Sequence, residues 1–360
     1  MTEINQKVKD ALLARLQQEG YNQKPKTPEK KEPPKPMFKD ETEKDTADKI
    51  EYAEIVGHPH PSGKEYWFSK RNVEDWDEDV RHLIPAIDDS FEFEDDYALS
   101  ILMSIEYNKT AFAYGPPGSG KSSAPEQICA RLNYPFMFIA GMGGTEPSDY
   151  VGSPWVEDGN MAWKDGPASF AVRKGVFLLY DEPFKASAQT NMCFQSLLDH
   201  RRTLKLYGHP DPIKGNLKAH PNFRICLADN VRGIGDSMDK YAAEIQDQST
   251  LNRTAYKVHV DYVNQDTEKK ILKALHPEAT DKLVNGVVSL ANLIRTAWKK
   301  GEVEMPYSLR DTREFVEAAL VHRDAATAFK QTYYGYIQED SEKKALNDAW
   351  RMCFPDEKLA

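Results

Sequence analysis

The chain has 360 residues, 40% hydrophobic and 11% aromatic, enough to bury one large core or two ordinary ones. Its 57 acidic and 47 basic residues leave a net charge of −10, which argues against a general electrostatic grip on nucleic acid. The cysteines Cys129, Cys193, Cys226 and Cys353 form no CxxC pair, no apolar stretch approaches a membrane span, and MTEINQKVKD lacks an apolar signal region; a soluble, cytoplasmic protein without a membrane partner is expected.

In chain order, residues 1–20 hold Ile4, Val8, Ala11, Leu12 and Leu16 at helical spacing, an amphipathic helix ending at Gly20. Residues 21–49 are dominated by Lys, Pro, Glu, Thr and Asp, a disordered linker by composition. Residues 50–82 form an N-terminal extension with an aromatic patch, Tyr66, Trp67, Phe68 and Trp76, expected to pack on the domain C-terminal to it or on a partner. His58-Pro59-His60 lacks a third metal ligand nearby and reads as loop.

From residue 83 the pattern is that of an α/β domain. Residues 95–108 make a helix with acidic residues at its start, residues 110–114 a buried strand, Ser122 to Leu132 a helix, and Phe136 to Ala140 a strand. A Gly-rich segment precedes the strand Val176 to Tyr180, a helix from Ala186 to His200, a polar excursion from Thr203 to Pro221 and the strand Phe223 to Ala228. Alternation of this kind implies a parallel sheet sandwiched by helices. An α/β nucleotide-binding domain over 83–263 is therefore expected, followed over 264–360 by a smaller helical lid and C-terminal extension.

Gly115-Pro116-Pro117-Gly118-Ser119-Gly120-Lys121-Ser122 fits the phosphate-binding pattern G-x-x-x-x-G-K-[ST] and lies between an expected strand and helix. Backbone N–H groups from this loop to Ser123 would cradle phosphates, Lys121 would reach the β- and γ-phosphates, and the Ser122 hydroxyl would ligate Mg²⁺. ATP and Mg²⁺ are the ligands implied. Sixty residues beyond Lys121, the run VFLLY delivers Asp181 and Glu182 at a strand's C-terminal end. Asp181 would hold Mg²⁺ and Glu182 would orient and deprotonate water. A later strand ends at Asp229-Asn230, where Asn230 could contact γ-phosphate and lytic water, the alternative being a turn-forming pair. Arg253 lies just before another strand-like run, placed to reach a neighbour's nucleotide. A Ser-His-Asp reading around Ser122, His200 and Asp199 has no Gly-x-Ser-x-Gly elbow.

Together with Asp149-Tyr150-Val151-Gly152, Ala219-His220-Pro221-Asn222-Phe223-Arg224, Gly233-Ile234-Gly235-Asp236 and Ser308-Leu309-Arg310, these motifs resemble an AAA+ ATPase of the MoxR/dynein-related group, and within it the CobS-like ATPase subunits of aerobic cobaltochelatase. The resemblance spans residues 84–320. It implies a P-loop AAA+ fold and a homo-oligomer, expected as a hexameric ring, with Arg253 as arginine finger and Arg310 as sensor 2, for which Arg313 is the rival. It further implies a hairpin insert from Pro154 to Gly175, with its turn at residues 157–160, and a second hairpin from Thr203 to Pro221. Trp155, Met161, Trp163 and Tyr207 read either as gripping tips or as buried core aromatics. The implied function is a motor that remodels a partner complex, with a von Willebrand A-type partner and a large chelatase-like client. Pro183 departs from the family's residue after Asp-Glu. The competing functions are a nucleotide-gated scaffold with little turnover, disfavoured by Glu182, Asn230 and Arg253, and a DNA-directed motor, disfavoured by the acidic charge.

Overall fold

The computed structural model describes residues 48–232 and 248–359. The expected helix at 1–20, nearly all of the expected linker, and Gly233 to Asp236 lie outside the described residues.

Five short strands form one parallel sheet: β1 (Ala111–Tyr114), β2 (Phe136–Ala140), β3 (Phe177–Asp181), β4 (Arg224–Asp229) and β5 (Tyr256–His259). Their order across the sheet is β5–β1–β4–β3–β2. β3 and β4 are buried along almost their whole length, as expected of central strands covered on both faces. Helices α1 (Asp95–Glu106), α2 (Ser123–Arg131) and α3 (Pro167–Lys174) supply apolar side chains to the same core. The α1 start is fixed by the Glu94 side chain, which accepts hydrogen bonds from the N–H groups of Asp96 and Tyr97.

Two local expectations change, and the packing of the 50–82 segment takes the first of its two alternatives. Asp48 and Lys49, expected in the linker, pair antiparallel with Lys70 and Ser69. The 50–82 segment also joins the main core, because Tyr52, Ile55, Phe68, Trp76 and Val80 are buried in it. Its attachment is polar as well: Trp76 Nε1 donates to the Asn133 carbonyl at 2.7 Å, and Tyr52 Oη donates to Asp95 at 2.7 Å. Finally, the single helix expected over 186–200 is broken into Ala188–Asn191, a 3₁₀ turn at Met192–Phe194, and Gln195–Leu198. Buried Asn191 ties this segment to the end of β3, accepting from Tyr180 Oη and donating to the Pro183 carbonyl.

Two antiparallel hairpins leave the α/β layer. The first pairs Gly152–Glu157 with Asn160–Asp165, turning at Asp158 and Gly159, both at positive φ. It ends earlier than expected, since α3 occupies the remainder up to Lys174. The second pairs Thr203–Lys205 with Asn216–Lys218.

Residues beyond 264 are helical: α4 (Gln265–Leu275), α5 (Asp281–Lys300), α6 (Leu309–His322), α7 (Ala325–Thr332) and α8 (Asp340–Cys353). They enclose a second core around Val287, Ala291, Phe315, Phe329 and Trp350. Within it Arg295 makes a two-pronged ion pair to Glu268, at 2.7 and 2.8 Å, while its Nε donates to the Tyr307 carbonyl. The Thr312 hydroxyl also donates to Glu268, at 3.0 Å. This network joins α4, α5 and the start of α6.

Because Glu268 is fully buried, Arg295→Met should leave an uncompensated carboxylate and destabilise the helical region by about 3–5 kcal/mol. Urea unfolding followed by tryptophan fluorescence should show the lower midpoint. Arg295→Met combined with Glu268→Leu should recover most of the loss; no recovery would mean that the ion pair is not the cause.

Candidate nucleotide site

The loop from Gly115 to Ser122 leaves the C-terminal end of β1 and enters α2. Gly118 and Gly120 have φ of 70° and 87°, which turn backbone donors inward at little steric cost. A Cβ on Gly118 would meet Ser308 Cβ at 2.4 Å, so the start of α6 sits directly on the phosphate loop. From behind, the buried Tyr97 hydroxyl of α1 donates to the Lys121 carbonyl. Sequence spacing gives no signal for Tyr97 beyond its place on an apolar stripe.

Lys121 is buried and curls over its own loop, donating to the carbonyls of Gly115 at 3.0 Å and Pro116 at 2.6 Å. Burial pulls its ammonium down to about 8, against the opposing attraction of Asp181, Asp229 and Glu182. Ser122 Oγ donates to Asp181 Oδ2 at 3.0 Å. Burial pushes the Asp181 carboxyl up, with the Ser122 hydrogen bond opposing it. Two oxygen donors thus stand side by side, a set suited to a hard dication such as Mg²⁺.

Glu182 follows β3 in the left-handed region, φ 46° and ψ 44°. Its Oε1 accepts from Asn230 Nδ2 at 2.8 Å, so the ends of β3 and β4 bring the two residues into contact. Pro183 opens the 3₁₀ turn Pro183–Lys185, where a residue without an N–H loses nothing. Asp229 reads from the sequence only as part of a turn. In the fold it is buried, accepts from the N–H groups of Phe184 and Val231 at 2.9 and 3.0 Å, and is pushed by burial up to about 6.

Beside the loop opens a cleft of about 340 Å³, within the usual size range for small-molecule sites. One wall is Asp88, Phe91 and Tyr97; others are Val260, Tyr262, Ile271 and Leu275. Of these wall residues only Phe91 belongs to a motif, Phe91-Glu92-Phe93, that the family resemblance includes. Arg310 and Arg313 both line the cleft from α6. Arg313 lies close enough to Asp88 to help hold that carboxyl below its usual range, behind the larger effect of the Ser90 hydrogen bond.

Arg253 is elsewhere. It precedes β5, whose Tyr256 pairs with Ala111 and His259 with Tyr114. The phosphate loop follows Tyr114, so Arg253 lies toward the opposite end of the parallel sheet. Its Nε is 3.9 Å from Asp199 Oδ2. Two of the hairpin aromatics stay outside the core, Trp155 at 56% and Tyr207 at 68% exposed, and Met161 is exposed too. Trp163 is partly buried against His209, joining the two hairpins. His60 packs between Tyr52 and Tyr66, and among the described residues no cluster of three or more metal-ligating side chains occurs.

Residues 111–243 match the AAA domain (dynein-related subfamily) family. Over these residues the chain carries an AAA domain of this kind, and it is an ATPase. This ATPase is 27% identical over 265 residues to the aerobic cobaltochelatase subunit CobS of Sinorhizobium, covering 71% of this chain and 79% of that protein. It is 25% identical over 257 residues to an uncharacterised protein of Staphylococcus haemolyticus, covering 69% and 91%. Among solved structures, the RuvB Holliday junction branch migration motor of Thermotoga maritima aligns with a TM-score of 0.44 and 14% identity, over 72% of this chain and 75% of that one. Among the described residues no helix is long and apolar enough to cross a membrane.

Buried Lys121, on the loop expected to hold phosphates, should make nucleotide binding proton-linked. Its ammonium deprotonates near pH 8 without ligand, whereas bound phosphates favour the charged form and raise that value. ATP binding should therefore take up a proton, and affinity should fall as pH rises through 8. Calorimetry in buffers of differing ionisation enthalpy should show proton uptake that grows between pH 7 and pH 8.5. Uptake that does not grow would remove Lys121 as the linked group.

Proposed function

We propose that this AAA+ ATPase is the subunit of a homo-oligomeric, hexameric ring that hydrolyses ATP and uses the cycle to remodel a partner complex in the cytoplasm. The observation that carries the hydrolytic part is the convergence of Lys121, Ser122, Asp181, Glu182 and Asn230 at one end of the sheet, with Glu182 and Asn230 in contact. Lys121 and the N–H groups from Gly118 to Ser123 hold the phosphates, and Arg310 adds charge from α6. Ser122 and Asp181 would hold Mg²⁺, which when bound supplies positive charge against the β- and γ-phosphates. Glu182 takes a proton from water while the water oxygen forms its bond to the γ-phosphorus and the bond to the β–γ bridging oxygen breaks. Asn230 fixes the Glu182 carboxylate.

The ring is supported by the place of Arg253. At the far end of the sheet from its own phosphate loop, it is poorly placed to serve that nucleotide, whereas an abutting copy could receive it. The hairpins support a remodelling role, since Trp155, Met161 and Tyr207 present apolar surface that the fold does not cover. Likeness to a cobaltochelatase subunit favours a von Willebrand A-type partner and a large chelatase-like client, with metal insertion as the process driven. A gene neighbourhood encoding both would favour that client over any other.

Glu182→Gln should bind ATP but slow turnover by roughly 10²–10⁴-fold; a wild-type rate would remove Glu182 as base. Arg253→Ala should also bind ATP and hydrolyse slowly, since a finger acting across an interface is worth on the order of 10³–10⁵ in rate. Mixing Arg253→Ala with Lys121→Ala should restore part of the activity, because a mixed ring can pair an intact loop with a neighbour's intact finger. If mass photometry shows mixed oligomers and the mixture stays inactive, Arg253 does not act between subunits.

A further inference from the structure

The backbone at Glu182 is held from three sides. Its N–H donates to the Ala228 carbonyl at 2.6 Å, its own carbonyl accepts from Lys185 N–H at 3.0 Å, and Gly141 lies so close that a Cβ there would stand 2.1 Å from that carbonyl. The left-handed turn therefore cannot rotate without disturbing the ends of β3 and β4. What Glu182 can do is set by the partners of its side chain.

Those partners differ in kind. Asn230 is neutral, and its amide occupies Oε1 at 2.8 Å. Lys185 is a cation, and its Nζ sits 2.5 Å from Oε2. The contact follows from the turn, because residues three apart eclipse one another in a 3₁₀ helix, and the turn beginning at Pro183 stacks Lys185 over Glu182. Among the described residues the Lys185 ammonium has no other acceptor. With nearly half of the Lys185 side chain exposed, the pair can open at modest cost.

We infer that Lys185 is a positioning residue that withholds Glu182, holding its carboxylate in a contact that must open before the carboxylate can accept a proton from water. The inference rests on the reading of Glu182 as the base. The Lys185 ammonium takes up a lone pair of Oε2 that a water proton would need. It also fills the oxygen left vacant by Asn230. An acidic side chain from an abutting surface would draw Lys185 away and free Glu182.

The test is the single-turnover hydrolysis rate of the full chain with saturating ATP and Mg²⁺, which product release does not mask. A part-exposed ion pair is worth a factor of about 1.4 to 5, so Lys185→Met should hydrolyse faster by about that factor, with KM for ATP unchanged. Lys185→Arg, which keeps the cation, should remain slower than Lys185→Met. A rate for Lys185→Met at or below wild type, with KM and thermal midpoint unchanged, would overturn the inference. Glu182→Gln separates the two readings. Wild-type hydrolysis by that variant would refute the base itself, whereas slow hydrolysis alongside an unaccelerated Lys185→Met would refute only the restraint. Adding Lys185→Met to Glu182→Gln should give no gain; a gain would show that Lys185 acts on something else and would overturn the inference.

Discussion

The parallel pairing of β4 with β1 on one side and β3 on the other governs the arrangement of the site. Cys226 to Asp229 run beside Ala111 to Tyr114, and Arg224 to Ala228 run beside Phe177 to Asp181. The C-terminal ends of all three strands therefore lie at one edge, where a parallel sheet leaves a crevice for ligands. Gly115 N–H donates to the Asp229 carbonyl at 3.3 Å, and Glu182 N–H donates to the Ala228 carbonyl. The ladder thus continues past the strands into both chemical loops and fixes them relative to each other.

This edge collects charge in a place that disfavours it. Burial lowers Lys121 and raises Asp181 and Asp229, the pattern of a site arranged for charged ligands rather than for its own stability. Asp229 tolerates its position because backbone N–H groups from Phe184 and Val231 meet both of its oxygens. In doing so it fastens the turn after Glu182 to the end of β4. The backbone around the site is thus set before phosphate charge arrives, while the Lys121 and Glu182 side chains must leave their present partners.

The helical region reaches the same edge through a small steric match. Only a residue without a side chain at Gly118 lets Ser308 approach, and Ser308 also caps α6 by accepting from Asp311 N–H. Arg310 and Arg313 then follow within the first turns of α6, facing the cleft. The buried pair of Arg295 and Glu268 ties α5 to α4, while Arg295 and Thr312 tie in the residues on either side of Ser308. Motion of the helices would therefore be felt at the phosphate loop.

Much of this was legible in the sequence because local chemistry required it. Apolar runs ending in Gly115, Asp181 or Asn230 specify buried strands whose ends bear function, and the Gly-rich loop needs glycine for backbone reasons that no distant residue changes. Where distant packing decides, the sequence was silent or misleading. It could not show that the 50–82 segment shares the main core, because its few aromatics find their partners on α1 and near Asn133. Nor could it show that Trp155, Met161 and Tyr207 stay exposed, since their residue types suit a core equally well. The cleft walls, the Tyr97 hydroxyl on the phosphate loop and the contact of Lys185 with Glu182 are juxtapositions made by the folded chain. By itself the sequence determined the nucleotide-binding loop, the acidic strand end and the order of the elements, which depend on neighbours in the chain. Tertiary structure alone decided which side chains face one another across the cleft, because side-chain contact across elements depends on sheet register and helix packing, which span distant parts of the sequence.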